Sequence, residues 1–275
     1  MLAAALALAA SAAWGVGDFL GGLRSRTLAA LAVMGLSQPF GLVVLALAAG
    51  IRARGPEGAG VLWACPSAVF GTLGLAAFYR GMATGAITIV APVAGAAAVV
   101  PVAYGLATGD RISALQTAGI AAALVGVVLA SRERGPVRGV ASGVGWALVA
   151  ALGFGGYFVP MHAAGAVDPL WASLVFRLTS VPLVWTALCV LRPPLAPAWR
   201  HLPVLAAIGI LDTGGNLLFA AASEHGLVSV VSVLGSLYPV GTVLLARLVL
   251  GERVARTQEA GVVLALAGVV LVSGG

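Results

Sequence analysis

The chain has no lysine, two cysteines, three histidines and few charges of either sign: 15 arginines and nine acids make up 9% of its 275 residues. Each scarcity excludes something. Globular domains carry roughly 25% charged residues, so a soluble fold with a solvated surface is excluded. Cys65 and Cys189 lie singly inside apolar runs with no C-x-x-C, so neither a disulfide framework nor a thiolate metal site is expected, and both read as small buried side chains. No H-E-x-x-H, G-x-S-x-G or phosphate-binding loop occurs. No catalytic residue, metal or cofactor is therefore expected, and ATP hydrolysis within this chain is excluded. The net charge of +6 comes entirely from arginine. These arginines sit mostly at the ends of apolar runs, where they anchor helices at a membrane surface, so no nucleic-acid partner is expected. The lack of lysine, with abundant Ala, Gly, Val and Leu, fits GC-rich codons and points to a bacterial cytoplasmic membrane.

What the sequence does contain is hydrophobic length. Hydrophobic residues make up 61% of the chain, the mean hydropathy is +1.08, and a membrane-crossing helix needs about 20 mainly apolar residues. Arg, Gly and Pro divide the chain into ten such runs, near 2–22, 28–49, 61–80, 86–107, 113–131, 140–163, 169–191, 201–222, 227–250 and 256–274. The first begins like a secretory signal, but no basic residue precedes it and the run continues to Gly22, so it reads as a span. The lipid bilayer is then the solvent of an all-α, multi-pass protein.

The stretch from Gly109 to Leu129 recurs, without a gap, from Gly251 to Leu271; Gln116/Gln258, Gly119/Gly261 and Gly126/Gly268 are among the identities. A repeat holding several spans is a statement about architecture. Five runs fall in each half, an odd number, so the expected fold is ten transmembrane helices in two inverted five-helix repeats, 1–131 and 140–275. The arginines fall unevenly between the two sides. Arg24, Arg26, Arg80, Arg132, Arg134, Arg138, Arg192, Arg200, Arg253 and Arg256 share one side; Arg52, Arg54 and Arg111 occupy the other. The positive-inside rule makes the first side cytoplasmic and both termini external.

Trp14-Gly15 near the end of the first run, Gly109-Asp110-Arg111 and Gly251-Glu252-Arg253 before the last run of each half, and the glycine-spaced runs after them resemble the EamA domain of the drug/metabolite transporter superfamily. Phe78-Tyr79-Arg80, Arg177 and Pro239 agree with its pattern. The resemblance covers essentially the whole chain as two domains and implies a ten-helix carrier of small metabolites, working by alternating access and in many cases exporting. It also implies termini in the cytoplasm, against the arginine count. Single-domain drug pumps of the superfamily carry a proton-coupling Glu in the first span; Ala9 to Gly17 here holds no acid, so that mechanism does not carry over.

Asp212, near the middle of the eighth run, is the first candidate. A charge there costs about 2.5–3.5 kcal/mol on insertion scales and needs the bundle interior, water or a partner. Asn216 shares its helix face. Arg177 lies inside the seventh run, with Ser173 on the same face, and corresponds to Gln38 across the repeat; it can grip a carboxylate bidentately or neutralise Asp212. Tyr157 and Trp14 are candidate cavity walls, Trp14 with Asp18 one turn on. Asp212, Asn216, Arg177 and Tyr157 should converge, with Asp212 within about 12 Å of Arg177 or Tyr157, the reach of side chains and one water. Ser229, Ser232 and Ser236 read as packing glue; His162, Asp168, Glu224 and His225 as solvated interfacial groups; Arg80 and Arg247 as snorkelling; and Pro92, Pro101, Pro160, Pro182 and Pro239 as sources of bends.

The expected function is a secondary transporter, exporting a small polar or amphipathic metabolite by alternating access, with protons as the candidate coupling ion through Asp212. The competing class is a non-transporting membrane protein: an embedded enzyme, a lipid-handling protein or a sensor.

Overall fold

The computed structural model describes residues 1–85, 87–130, 140–251 and 256–274. Arg132, Arg134, Arg138, Glu252 and Arg253, used in the sequence reading, lie outside the described residues. Those that are described form helices and connecting turns, with no strand among them. In chain order the helices are α1 (Leu2–Ser25), α2 (Ala30–Arg52), α3 (Ala64–Thr84), α4 (Ile87–Gly95), α5 (Val99–Thr108), α6 (Ala114–Ala130), α7 (Val140–Gly165), α8 (Pro169–Leu191), α9 (Leu202–Ser223), α10 (Val228–Gly235), α11 (Tyr238–Leu250) and α12 (Arg256–Gly274). Eight helical segments are long and apolar enough to cross a membrane, and Ala114–Gly126 is a shorter apolar one. Outward faces are as apolar as inward ones: Val43, Val44 and Leu47 on α2, and Leu148, Val149 and Leu152 on α7, are exposed. Helices apolar all round are the form that lipid requires. This is a multi-pass membrane protein.

Local chemistry sets the helix ends. Asp168 caps α8, its carboxylate accepting from the Trp171 amide at 3.2 Å, with Pro169 in the first turn. Gly109 and Gly251, the glycines of the repeated G-[DE]-R element, end α5 and α11 at φ of +100° and +65°. Glycine adopts that left-handed region without penalty. Just beyond, Ser113 and Gln116 form a capping box at the start of α6, each side chain bonding the other's backbone amide at 3.0 and 2.9 Å. The motif that carries the family resemblance is thus a stop and restart of helix.

Two of the apolar runs are broken. A single 3-10 turn, Ala96–Ala98, separates α4 from α5, and Ser236-Leu237 separates α10 from α11, with Pro239 in the first turn of the latter. Pro92, Pro160 and Pro182 lie inside continuous helices.

Helices pack α1 on α9, α7 on α3, α2 on α8 and α9, and α6 on α12. Where backbones touch, glycine permits it. A Cβ on Gly209 of α9 would fall 1.9 Å from the Ser37 carbonyl of α2, and one on Gly153 of α7 would fall 2.5 Å from Gly74 Cα of α3. Close small-residue contact drives helix association where lipid leaves no hydrophobic force between helices. α2 and α8 run antiparallel: the Arg52 guanidinium at the end of α2 donates to both Asp168 oxygens at the start of α8 at 2.7 and 2.9 Å, and Trp185 near the end of α8 donates to the Gly35 carbonyl at 3.1 Å.

Several expectations are corrected here. Asp168 is 1% exposed and paired with Arg52 rather than solvated. His162 shares a 2.9 Å hydrogen bond with the Gly226 carbonyl. Arg247 pairs with Glu259 at 2.8 Å. Cys189 is exposed on α8, and Cys65 is half-buried. Among the serine row, Ser229 donates to Asp110 at 2.7 Å and so ties the α5–α6 turn to the start of α10.

Candidate functional site

The site draws on seven helices, α1, α2, α3, α7, α8, α9 and α11. Arg177 of α8 is 1% exposed, the largest fully buried side chain among the described residues. Its guanidinium forms an ion pair with Asp212 of α9 and donates through Nε to Thr213 Oγ1 at 2.8 Å. Its Cζ lies 5.3 Å from the centre of the Phe176 ring, within cation–π range. Nη1 has no hydrogen-bond partner. Gly41 and Gly209, at the α2–α9 contact, hold Thr213 against α2, since a Cβ on Gly41 would meet Thr213 Oγ1 at 1.8 Å.

One turn along α9, Asn216 accepts a 3.0 Å hydrogen bond from the Tyr157 hydroxyl of α7. The Tyr157 carbonyl in turn accepts from Ser67 of α3 at 3.0 Å. Trp14 of α1 meets Tyr157 edge-on, ring centres 6.0 Å apart, and lies against Phe219 at 5.9 Å. Gly215 makes room for the indole: a Cβ there would stand 2.5 Å from Trp14 Cδ1. Phe158, Phe176 and Phe219 complete an aromatic cluster around Tyr157.

Most of these groups line one cavity, whose empty space, with the open solvent at its mouth included, is about 510 Å³. Trp14, Gln38, Tyr157, Arg177, Asp212 and Asn216, the six candidates from the sequence, all face it. Asp212 and Arg177 meet directly, Asn216 and Tyr157 meet directly, and Gln38 approaches from α2 with its Oε1 unpartnered. The sequence reading missed Thr213, which shares Arg177 with Asp212, and Tyr238, which faces the cavity beside the α10–α11 break. Thr213 was adjacent to the chosen acid, and Tyr238 preceded the flagged Pro239. Asp18, named in the sequence reading only as one turn on from Trp14, is 6% exposed and lines the same cavity. Among the described residues no group of His, Cys, Asp and Glu is disposed to hold a metal ion.

A buried ion pair and a hydrogen-bonded aromatic wall, both at mid-helix and facing one cavity, match what a membrane protein uses to hold a polar solute. A family model, the EamA-like transporter family, matches residues 141–274. Over those residues, just under half of the chain, the sequence is similar to that family. The EamA-like half contributes Phe154, Tyr157, Arg177, Asp212, Asn216 and Tyr238 to the cavity. Among curated proteins none matches the chain significantly. A solved crystal structure, described only as that of a protein, superposes with a TM-score of 0.72 at 18% identity, covering 98% of this chain and 95% of that one. At that identity the likeness establishes the fold alone, and it extends the fold well beyond the EamA-like half.

Proposed function

We propose that this chain is a secondary carrier of a small polar or amphipathic metabolite across the cytoplasmic membrane of a bacterium, working in the direction of export. The observation that carries the reading is the Arg177–Asp212 pair, buried at membrane depth yet facing a cavity walled by both halves of the chain. Ionisable groups inside a membrane mark solute or ion paths. Transport proceeds by rocking one five-helix repeat, 1–131, against the other, 140–275, around that cavity.

The helix contacts support two inverted repeats. α1 packs on α9 as α7 packs on α3, and α4 packs on α11 as α10 packs on α5. Each pair maps onto the other when the halves are exchanged. α2 and α8, which hold corresponding places, run antiparallel. The two helix breaks also hold corresponding places, and discontinuous helices are common at the sites of inverted-repeat carriers.

Protons are the proposed coupling ion, with Asp212 as the group that takes them. Purified protein in proteoliposomes, loaded with members of a metabolite panel, tests the carrier reading by counterflow. Exchange of at least one compound above protein-free vesicles is expected; none across the panel rejects it. Asp212→Asn tests coupling because it keeps shape and hydrogen bonding but cannot titrate. Accumulation driven by a pH gradient should vanish while counterflow persists. Gradient-driven accumulation by the mutant at the wild-type level overturns coupling through this residue.

A further inference from the structure

Asp18 is the cavity group that neither the ion pair nor the aromatic wall accounts for. It lies one helical turn beyond Trp14 on α1, is 6% exposed, and makes no hydrogen bond or ion pair among the described residues. Its neighbour Gly17 lies against α9, where a Cβ would stand at ordinary contact distance, 3.7 Å, from the Asp212 amide nitrogen. Two carboxylates thus stand on helices in direct contact.

The cavity lining holds two carboxylates, Asp18 and Asp212, and one cation, Arg177. Arg177 is engaged by Asp212 and Thr213. With Asp18 ionised, one negative charge has no counter-charge among the described residues, a state that is expensive at membrane depth until a cation meets it. Most of the nearby unmet hydrogen-bonding groups can accept, Arg177 Nη1 being the unmet donor among them. Gln38 Oε1 is a buried acceptor with no donor, and the Thr72 and Tyr238 hydroxyls, which also accept, are likewise without partners. An ammonium group has donors and no acceptors, which complements this set. The rings of Trp14, Phe154, Tyr157 and Tyr238 around it attract cations through their faces and bury apolar carbon.

We propose that the carrier's solute is an organic cation, a primary or secondary ammonium on an apolar body, with Asp18 as its counter-charge. This deepens the carrier reading and rests on it. Three probes of matched shape separate charge from size: phenethylamine as its ammonium, neutral 2-phenylethanol and anionic phenylacetate. Calorimetric titration of the purified full-length protein at neutral pH should show the amine binding at least about tenfold more tightly than either of the others. Asp18→Asn should weaken the amine at least about tenfold and leave the alcohol unchanged; Asp18→Glu should restore most of the loss. Because Asp18 has no hydrogen-bond or ion-pair partner among the described residues, neither variant should cost folded yield. Equal or tighter binding of alcohol or acid, no measurable amine binding in the millimolar range, or unchanged amine affinity in Asp18→Asn would each overturn the cation site. Counterflow of the metabolite panel, measured on the same preparation, reads the carrier independently. A carrier that exchanges only neutral or anionic compounds rejects the cation site alone, and an amine binder that exchanges nothing rejects the carrier alone.

Discussion

Gly74 on α3 lies against the ring of Phe154 on α7, and Gly215 on α9 lies against the ring of Trp14 on α1. Gly215 follows Gly74 by 141 residues and Phe154 follows Trp14 by 140, so under the proposed repeat the two contacts correspond. Around that shared frame the facing side chains differ. Gln38 stands where the second half has Arg177, Gly71 where it has Asp212, Leu75 where it has Asn216, and Asp18 where it has Phe158. Small residues at the helix contacts set the shape, and they leave the cavity-facing positions free to carry unlike chemistry in the two halves. Specificity therefore has to be sought in what the halves do not share.

The largest test of the comparison is all-or-none. If the halves are inverted, reporters fused after Arg134 and after Gly275 should lie on opposite sides of the membrane, and finding both on one side would break the equivalence. Next in size is the ion pair, present in one half only. If Asp212 serves only as the partner of Arg177 rather than as the coupling group, Asp212→Asn strands the Arg177 charge, and breaking a buried pair in this way typically costs about 3–5 kcal/mol; folded yield and apparent Tm in detergent should then both drop. Arg177→Gln combined with Asp212→Gly copies the first half and leaves no charge unpaired, so it should be less harmful than Asp212→Asn alone. A double variant worse than the single would show that the pair is not the unit of stability.

Smaller effects should come from the duplicated glycine contact. Overpacking typically costs about 1–3 kcal/mol. Gly215→Ala should be the more damaging of the two, since its Cβ would meet the Trp14 indole at 2.5 Å, against 2.9 Å between Gly74 and the Phe154 ring. Thermal unfolding of the pair of variants decides the order, and Gly74→Ala coming out clearly worse would reverse it. The mildest change is Tyr157→Phe, which removes the hydroxyl that bonds Asn216. A loss of about 1 kcal/mol is expected, and a melting temperature equal to wild type would place Asn216 outside the stabilising network.

The helices were legible because lipid imposes a minimum apolar length that composition alone reports; the run read as 169–191 is the helix Pro169–Leu191, and that read as 140–163 is Val140–Gly165. Their interruptions were half legible. Pro239 marked one, but nothing in Ala96-Ala97-Ala98 announces a 3-10 turn. Asp212 and Arg177 stood out because charge at membrane depth is costly enough to demand a partner. Facing was much harder to read. In a soluble helix the polar side reveals the inner side, but these helices are apolar all round, so nothing marked Cys189 as exposed or Asp168 and Asp18 as buried. Partners supplied by distant segments, such as Arg52 for Asp168, are invisible to any local pattern.

The pairing of Arg177 with Asp212 has an electrical consequence. A membrane potential does about 2.3 kcal/mol of work per 100 mV on each elementary charge carried across it. Two opposite charges that travel together present no net charge, so voltage has no hold on them. Asp18 makes no hydrogen bond or ion pair among the described residues, and the proposed cation beside it would complete a second neutral pair. Any current recorded during turnover would then report a change in that balance, such as a proton taken up by Asp212, while the intact Arg177–Asp212 pair stays electrically silent.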